Sequence, residues 1–148
     1  MEQTLPISGA EVEALIPQRH PFIAVDTLFL CTENECESGF TPPENHLLSV
    51  NGLFTEFGLT ENMAQTGALH SGYLSKLHGT PPAVGFIGQI KNLKIHFLPK
   101  TKESIRTRIE HLHKVANVSV IRAEVSVGER LCAECEMKIF LQTPAGEA

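Results

Sequence analysis

Polar and apolar positions alternate through the C-terminal half of the chain and merge into longer apolar runs in its middle. After HGTPP, four segments read as strands: VGFIGQIKNLKIHFL from Val84, ESIRTRIEHLHKV from Glu103, NVSVIRAEVSVG from Asn117 and ERLCAECEMKIFL from Glu129. RTRIEHLHKV and SVIRAEVSV alternate most clearly, so each carries one wet and one dry face. Pro99-Lys100, Ala116-Asn117 and Gly128-Glu129 fall at the turns between them. Nearer the N-terminus, FIAVDTLFLCTE from Phe22 has the β-branched and aromatic content of a strand, and ECESGFTP from Glu35 is placed to pair with it across Glu33-Asn34. Ser8 and Glu11 form a capping-box pattern that predicts a short helix over residues 8–16, stopped by Pro17. PPENHLLSVNG reads as a loop.

FTEFGLTENMAQTGALHSGYLSKL predicts the only long helix, Glu56 to Leu77, spanning roughly 33 Å at 1.5 Å per residue. Ala64, Gly67, Ala68 and Gly72 are small enough to let a sheet approach it closely, although Gly in a helix costs about 1 kcal/mol against Ala. About six antiparallel strands and one long apolar helix share a core only if the sheet curls around the helix. The expectation is therefore an α+β hotdog fold, one domain over residues 1–148, with a flexible tail at 143–148. Sheets of this kind pair edge to edge, which predicts a dimer.

The chain has 17 acidic and 12 basic residues, a net charge of −5, which argues against a nucleic-acid partner. The N-terminus has no basic, apolar leader, and no run reaches the roughly 18 apolar residues of a membrane span, so a cytoplasmic protein with no membrane partner is expected. The cysteines are Cys31, Cys36, Cys132 and Cys135. In a strand, residues three apart point to opposite faces, so the CAEC segment does not make a zinc half-site, and free, mostly buried thiols are expected.

Two stretches carry a family resemblance. IPQRHPFIAVD, Ile16 to Asp26, and TENMAQ, Thr60 to Gln65, resemble the L-P-H-R-Y-P-F-L-L-V-D and I-E-A-M-A-Q segments of the 3-hydroxyacyl-[acyl carrier protein] dehydratases. Weaker similarity through GFIGQIKNLKIHFLP and GERLCAECEM extends it over roughly residues 14–141 in the same order and spacing. The family's H-F-P-G-H-P loop, whose first His is catalytic, is absent. Its two histidine positions fall on Leu47 and Asn51, and His46 is the nearest imidazole. This loop, with GLFTEFG in place of a Pro-Gly turn, is more similar to the divergent hotdog dehydratases associated with aryl polyene pathways.

The resemblance implies dehydration of a 3-hydroxyacyl thioester to the 2-enoyl thioester. That reaction needs a base for the proton beside the carbonyl and an acid for the departing hydroxyl. His46 is the expected base. Glu61 is the expected acid, because the start of an apolar helix would desolvate it and favour its protonated form, although carboxylates in such places often serve only as caps. The first N–H groups of the helix would polarise the thioester carbonyl. His20, Phe22, Phe57 and Gln65 are expected along the acyl path.

His70 is read as a helix-packing residue, and His96, His111 and His113 as solvent-face or interface residues. No metal or cofactor is expected beyond the phosphopantetheine of acyl carrier protein, or coenzyme A, that carries the substrate. Lys91, Lys94, Lys100, Lys102, Arg106 and Arg108 are half of the 12 basic residues, with only Glu103 opposing them between positions 91 and 108. Lys100, Lys102, Arg106 and Arg108 are read either as a docking patch for an acidic acyl carrier protein or as a solvated strand face. Two other functions stay open: an acyl thioesterase in which Glu61 activates water, and a half-site subunit that completes a partner dehydratase, so the dimer is either homodimeric or heterodimeric.

Overall fold

The alternating segments become strands, and the apolar middle becomes a helix that they enclose. The computed structural model describes residues 4–81 and 84–142. In chain order the elements are β1 (Ile7–Ser8), α1 (Ala10–Glu13), β2 (Thr27–Cys31), β3 (Glu35–Phe40), β4 (Ser49–Val50), β5 (Leu53–Phe54), α2 (Glu56–His78), β6 (Val84–Ile95), β7 (Ile105–Val115), β8 (Val118–Val127) and β9 (Arg130–Gln142). Seven of the strands form one sheet in the order β1-β2-β3-β7-β8-β9-β6, antiparallel throughout, and β4 with β5 makes a separate two-stranded ribbon. The helix α2 contacts β2 and β3 near one edge of that order and β6 at the other, so the sheet curls around it as expected. Leu59, Met63 and Leu69 of the helix are fully buried with Ile109, Ile121 and Met137 of the sheet.

Capping chemistry sets the ends of α2. The Thr55 hydroxyl accepts from the Gly58 N–H at its start, and Gly79 at φ 65° closes it in the left-handed conformation that glycine adopts freely. The hairpins follow the predicted turns, with Ala116 and Gly128 both at positive φ.

Three expectations are corrected. The N-terminal helix covers only Ala10–Glu13, because Ser8 is paired with Thr27 in the sheet and cannot cap it. Arg19 Nη1 instead donates to the carbonyls of Glu13, Ile16 and Gln18 and ties down the chain beyond this turn. The strand predicted from Phe22 begins only at Thr27. Finally, a bulge between Val125 and Ser126 breaks the alternation of β9, and Cys132 and Ala133 are both buried. Cys135 points its thiol at Met63 Sδ (3.7 Å), whereas Cys132 donates to the Phe97 carbonyl (3.1 Å). All four cysteines are free, and among the described residues no three His, Cys, Asp or Glu side chains are grouped as a metal would require. The tail at 143–148 lies outside the described residues.

At one edge of the sheet, β6 leaves Phe86, Ile87, Ile90 and Leu93 exposed and, among the described residues, has a strand neighbour on one side only. Among the described residues no helix is long and apolar enough to cross a membrane.

The small residues of α2 do different work from what their spacing suggests. A Cβ on Gly72 would lie 2.0 Å from the Leu15 carbonyl oxygen, so this glycine admits the N-terminal segment, not the sheet. A Cβ on Gly67, which does face the sheet, would meet only side-chain methyls, Ile139 Cδ1 at 3.4 Å and Ile121 Cδ1 at 3.7 Å. Replacing Gly by Ala in a helix gains about 1 kcal/mol, and overlap with backbone costs about 1–3 kcal/mol. Gly72→Ala should therefore destabilise the protein by up to about 2 kcal/mol, while Gly67→Ala should be neutral or stabilise it by up to about 1 kcal/mol. Urea unfolding of the two variants beside the parent provides the measurement.

Candidate active site

Residues 22–24 run beside α2 without a strand neighbour, so their peptide groups need other partners. Two amides on the helix supply them. Gln65 Oε1 accepts from the Ala24 N–H (2.7 Å), and Gln65 Nε2 donates to the Phe22 carbonyl (2.9 Å). Asn62 Nδ2 donates to the Ala24 carbonyl (2.8 Å), and its Oδ1 accepts from the Thr107 hydroxyl. Both amides are completely buried. This explains why the strand does not start at Phe22: the Phe22 carbonyl and the Ala24 peptide groups bond helix side chains, and backbone pairing with Gly39 and Gly9 begins only at Asp26.

The second N–H of Gln65 donates to Glu61 Oε1 (2.9 Å), one turn earlier on the same helix face. All the donors and the acceptor of Gln65 are then engaged, which fixes its orientation. Because Oε1 faces a donor, a proton on the Glu61 carboxyl resides on Oε2. Glu61 is only half-buried, unlike the two amides that hold the segment.

His46 reaches the same segment from the loop before β4. Its Nε2 lies 2.8 Å from the Ile23 carbonyl oxygen. A carbonyl can only accept, so Nε2 carries the hydrogen and the basic lone pair is on Nδ1, where the Leu48 N–H donates at 3.1 Å. The imidazole packs edge-on between Phe40 and Phe54 at centroid distances of 5.4 and 5.5 Å. Gln65 and His46 thus both hold the segment 22–24, and Glu61 is tied to it through Gln65, with no hydrogen bond between His46 and Glu61 among the described residues.

The surroundings are apolar and open. Phe57, one turn before Glu61, is 77% exposed and Phe22 is 56% exposed, with Leu47, Val50 and Leu53 also exposed. His20 is exposed as well. An open cavity of about 540 Å³ lies elsewhere, between Asp26, Phe29, Gly39 and Arg106, and neither Glu61 nor His46 lines it.

The basic cluster is less free than its sequence neighbourhood implies. Arg106 pairs with Glu37 (3.2 Å) and stacks over Phe29, Arg108 pairs with Glu35, and Lys102 pairs with Glu44 (3.5 Å). The Lys100 backbone N–H donates to the Glu103 carboxylate (3.1 Å). Strand pairing of β3 with β7 brings Glu35 and Glu37 diagonally within reach of Arg108 and Arg106, which a count along the sequence cannot register.

His70 is buried as read, donating from Nε2 to the Thr32 carbonyl (2.6 Å). His111 is not a solvent-face residue. It is half-buried between His70 (3.0 Å) and the Ser119 hydroxyl (2.6 Å), and burial, then His70 and Lys114, push its pKa down to about 4. His96 pairs with Glu134 at 3.1 Å. The residues that sequence reasoning left without a role are Asn62, Thr107 and the flanking Phe40 and Phe54. A lone amide inside the apolar run of a helix was the available signal for Asn62, since a buried amide demands partners.

A family model described as ApeP dehydratase matches residues 10–147. The 3-hydroxyacyl-[acyl-carrier-protein] dehydratase FabZ of Sorangium cellulosum is 26% identical over 133 residues, covering 86% of this chain and 85% of that protein. In fold, the chain is similar to the dehydratase heterocomplex ApeI:P from Xenorhabdus doucetiae, with a TM-score of 0.82, 14% identity, and 95% of this chain and 93% of that chain covered. It is also similar to a hypothetical thioesterase with coenzyme A from Streptococcus pneumoniae, with a TM-score of 0.64, 14% identity, and 78% and 84% covered. These likenesses establish the hotdog fold.

The buried amide network makes a stability prediction. Asn62→Ala leaves the Ala24 carbonyl and the Thr107 hydroxyl without partners, at about 1–3 kcal/mol each, so the unfolding free energy should fall by about 3 kcal/mol. Thr107→Val should cost much less in the Asn62→Ala background than in the parent, because its partner is already gone. Urea denaturation of the four proteins of this cycle measures both effects.

Proposed function

The chain belongs to the ApeP-like dehydratase family and is a lyase of the dehydratase type, and from that premise we propose that it dehydrates a 3-hydroxyacyl thioester carried on acyl carrier protein, with Glu61 as acid and His46 as base. The observation that carries this reading is the hold of Gln65 on Glu61 Oε1, which leaves Oε2 as the oxygen that delivers a proton. His46 Nδ1 takes the proton from the carbon beside the thioester carbonyl. The C–O bond to the hydroxyl breaks as Glu61 protonates it, the carbon–carbon double bond forms and water leaves. The Ile23 carbonyl fixes the tautomer of His46 and stabilises the imidazolium, at the expense of the weaker Leu48 contact. The Gly58 N–H is taken by Thr55, so the N–H groups of Glu56 and Phe57 are the candidates for polarising the thioester carbonyl.

The acyl chain would run over Phe57 and Phe22 with His20 near its entrance. These side chains stand in solvent in a single chain, so a second hotdog chain is needed to cover them and to dry the site. The apolar edge strand β6 is the surface through which that chain would pair, as a homodimer or as a heterodimer with another dehydratase. No cofactor is required apart from the phosphopantetheine or coenzyme A that brings the substrate.

A second reading, a half-site subunit that completes a partner's active site, draws on one observation: both ring nitrogens of His46 already have backbone partners, and no hydrogen bond joins it to Glu61. Thioesterase action on the same fold would have Glu61 activate water and would release free thiol, which dehydration does not.

Glu61→Gln keeps the shape and the Gln65 neighbour but removes the transferable proton, so turnover of a 3-hydroxyacyl carrier protein should fall by roughly 10²- to 10⁴-fold while the fold survives. His46→Ala should fall by a similar factor. Full activity in His46→Ala would remove His46 as the base. A parent inactive alone but active in a mixed dimer that Glu61→Gln silences would establish the half-site role, and release of free thiol in place of the enoyl product would establish hydrolysis.

The proposed carrier-protein contact comprises Lys100, Lys102, Arg106 and Arg108. Reversing Arg106, Arg108 or Lys102 would also set like charges against Glu37, Glu35 or Glu44, so neutralising Lys100→Gln with Lys102→Gln is the cleaner test. This pair should lower activity on carrier-protein substrates, less so at high salt, and spare small thioester analogues. Equal losses on both substrates would assign the cations a structural role.

A further inference from the structure

Strands β2 and β3 meet at the two-residue turn Glu33-Asn34, where the Thr32 N–H donates to the Glu35 carbonyl (2.8 Å) and the Glu35 N–H to the Thr32 hydroxyl (3.0 Å). The next pair inward in an antiparallel hairpin is a non-hydrogen-bonded one, with Cα atoms about 4.5 Å apart and side chains on the same face. That pair is Cys31 and Cys36. Such a spacing lies within the roughly 4.4–6.8 Å that a disulfide spans.

The two thiols differ in access. Cys36 is fully buried, whereas Cys31 is partly exposed, because β1 covers β2 only at Thr27 and Leu28 and leaves the edge open beyond them. Cys31 Sγ lies 4.0 Å from the His70 carbonyl oxygen, and the His70 ring is locked beside the turn by its bond to the Thr32 carbonyl.

We propose that Cys31 and Cys36 form a reversible thiol–disulfide site, with Cys31 as attacking thiolate and Cys36 as resolving thiol, acted on by low-molecular-weight disulfides. The Cys31 thiolate attacks one sulfur of the external disulfide, forms a mixed disulfide and releases one thiolate, which takes up the Cys36 proton. The Cys36 thiolate then attacks Cys31 Sγ, closes the internal disulfide and releases the second external group as a thiolate. Two protein thiols are oxidised, and one external disulfide is reduced to two thiols.

The electrostatics agree with this division of roles. A hydrogen bond from Cys36, helped by His70 and opposed by burial and Glu33, lowers the Cys31 pKa to about 6, which favours its thiolate. The same hydrogen bond and burial push the Cys36 pKa up, so it keeps its proton. Burial raises Cys132 and Cys135 to about 11 each, which leaves them unreactive. The loop closed by the bond is short, so its chain-entropy gain is at the small end and the disulfide should be easily reduced.

The test treats the folded full chain with excess oxidised glutathione at neutral pH and follows intact mass and peptide maps. The parent should lose two hydrogens, with one cross-link mapping to Cys31 and Cys36 that dithiothreitol reverses. Cys36→Ser should instead stop at a glutathione adduct on Cys31, and Cys31→Ser should gain neither. In the parent, a thiol-alkylating reagent should label Cys31 more than about tenfold faster than Cys132 or Cys135. If Cys36→Ser is poorly folded, Cys36→Ala replaces it as the trapping variant. A cross-link at Cys132 or Cys135, a link seen only in denaturant, or a Cys31 that takes no adduct in either trapping variant would overturn the proposal.

Discussion

The peptide groups of residues 22–24 are the constraint around which the rest of the molecule is arranged. They lie against the helix with no strand to bond, and unpaired buried peptide groups cost about 1–3 kcal/mol each. Asn62 and Gln65 satisfy them from the helix, and His46 satisfies the Ile23 carbonyl from the other side. Each of these side chains is thereby fixed in orientation. Glu61 inherits its position from Gln65, so the hydrogen bonding that stabilises the segment also aims the candidate acid.

Bringing that segment onto the helix depends on close backbone approach nearby. Gly72 lets the Leu15 carbonyl touch α2, and Arg19 gathers three carbonyls around the end of α1. The chain then passes directly into Phe22. On the sheet side the core is conventional, with branched and sulfur-containing side chains of α2, β7, β8 and β9 filling the space under the curl. What this packing leaves uncovered is the apolar ground around Phe57 and the β6 edge.

Strand pairing also decides which charges and imidazoles meet. Antiparallel register places Glu35 opposite Glu110 and Glu37 opposite Arg108, and from these positions their side chains reach Arg108 and Arg106 respectively. Exposed pairs of this kind add little stability, typically about 0–1 kcal/mol. Their larger effect is on the surface field, because a stretch that is strongly cationic along the chain is close to balanced on the folded surface. The same logic joins His70 of the helix to His111 and Ser119 of neighbouring strands.

Periodicity in the sequence was enough for the long helix, the four C-terminal strands, the Glu33-Asn34 turn and the curled α+β arrangement, because alternation and small-residue spacing are local properties of the chain. The dehydratase family was legible in IPQRHPFIAVD and TENMAQ, and Glu61 and Gln65 came with that resemblance. Several features were not legible. The segment 22–26 has a strand's composition, but the hydrogen bonds of Phe22 and Ala24 are taken by Asn62 and Gln65, some forty residues away. Ser8 has a capping pattern, yet pairing with Thr27 consumes it. The arginines of β7 look unopposed until β3 lies beside them, and Cys132 should face away from its neighbour until a bulge turns both inward. The sequence determined which segments are strands and which is the helix, since side-chain period and burial select those directly. Tertiary structure alone decided which polar groups are satisfied by whom, because hydrogen bonds and ion pairs depend on contacts between residues that only the folded chain brings together.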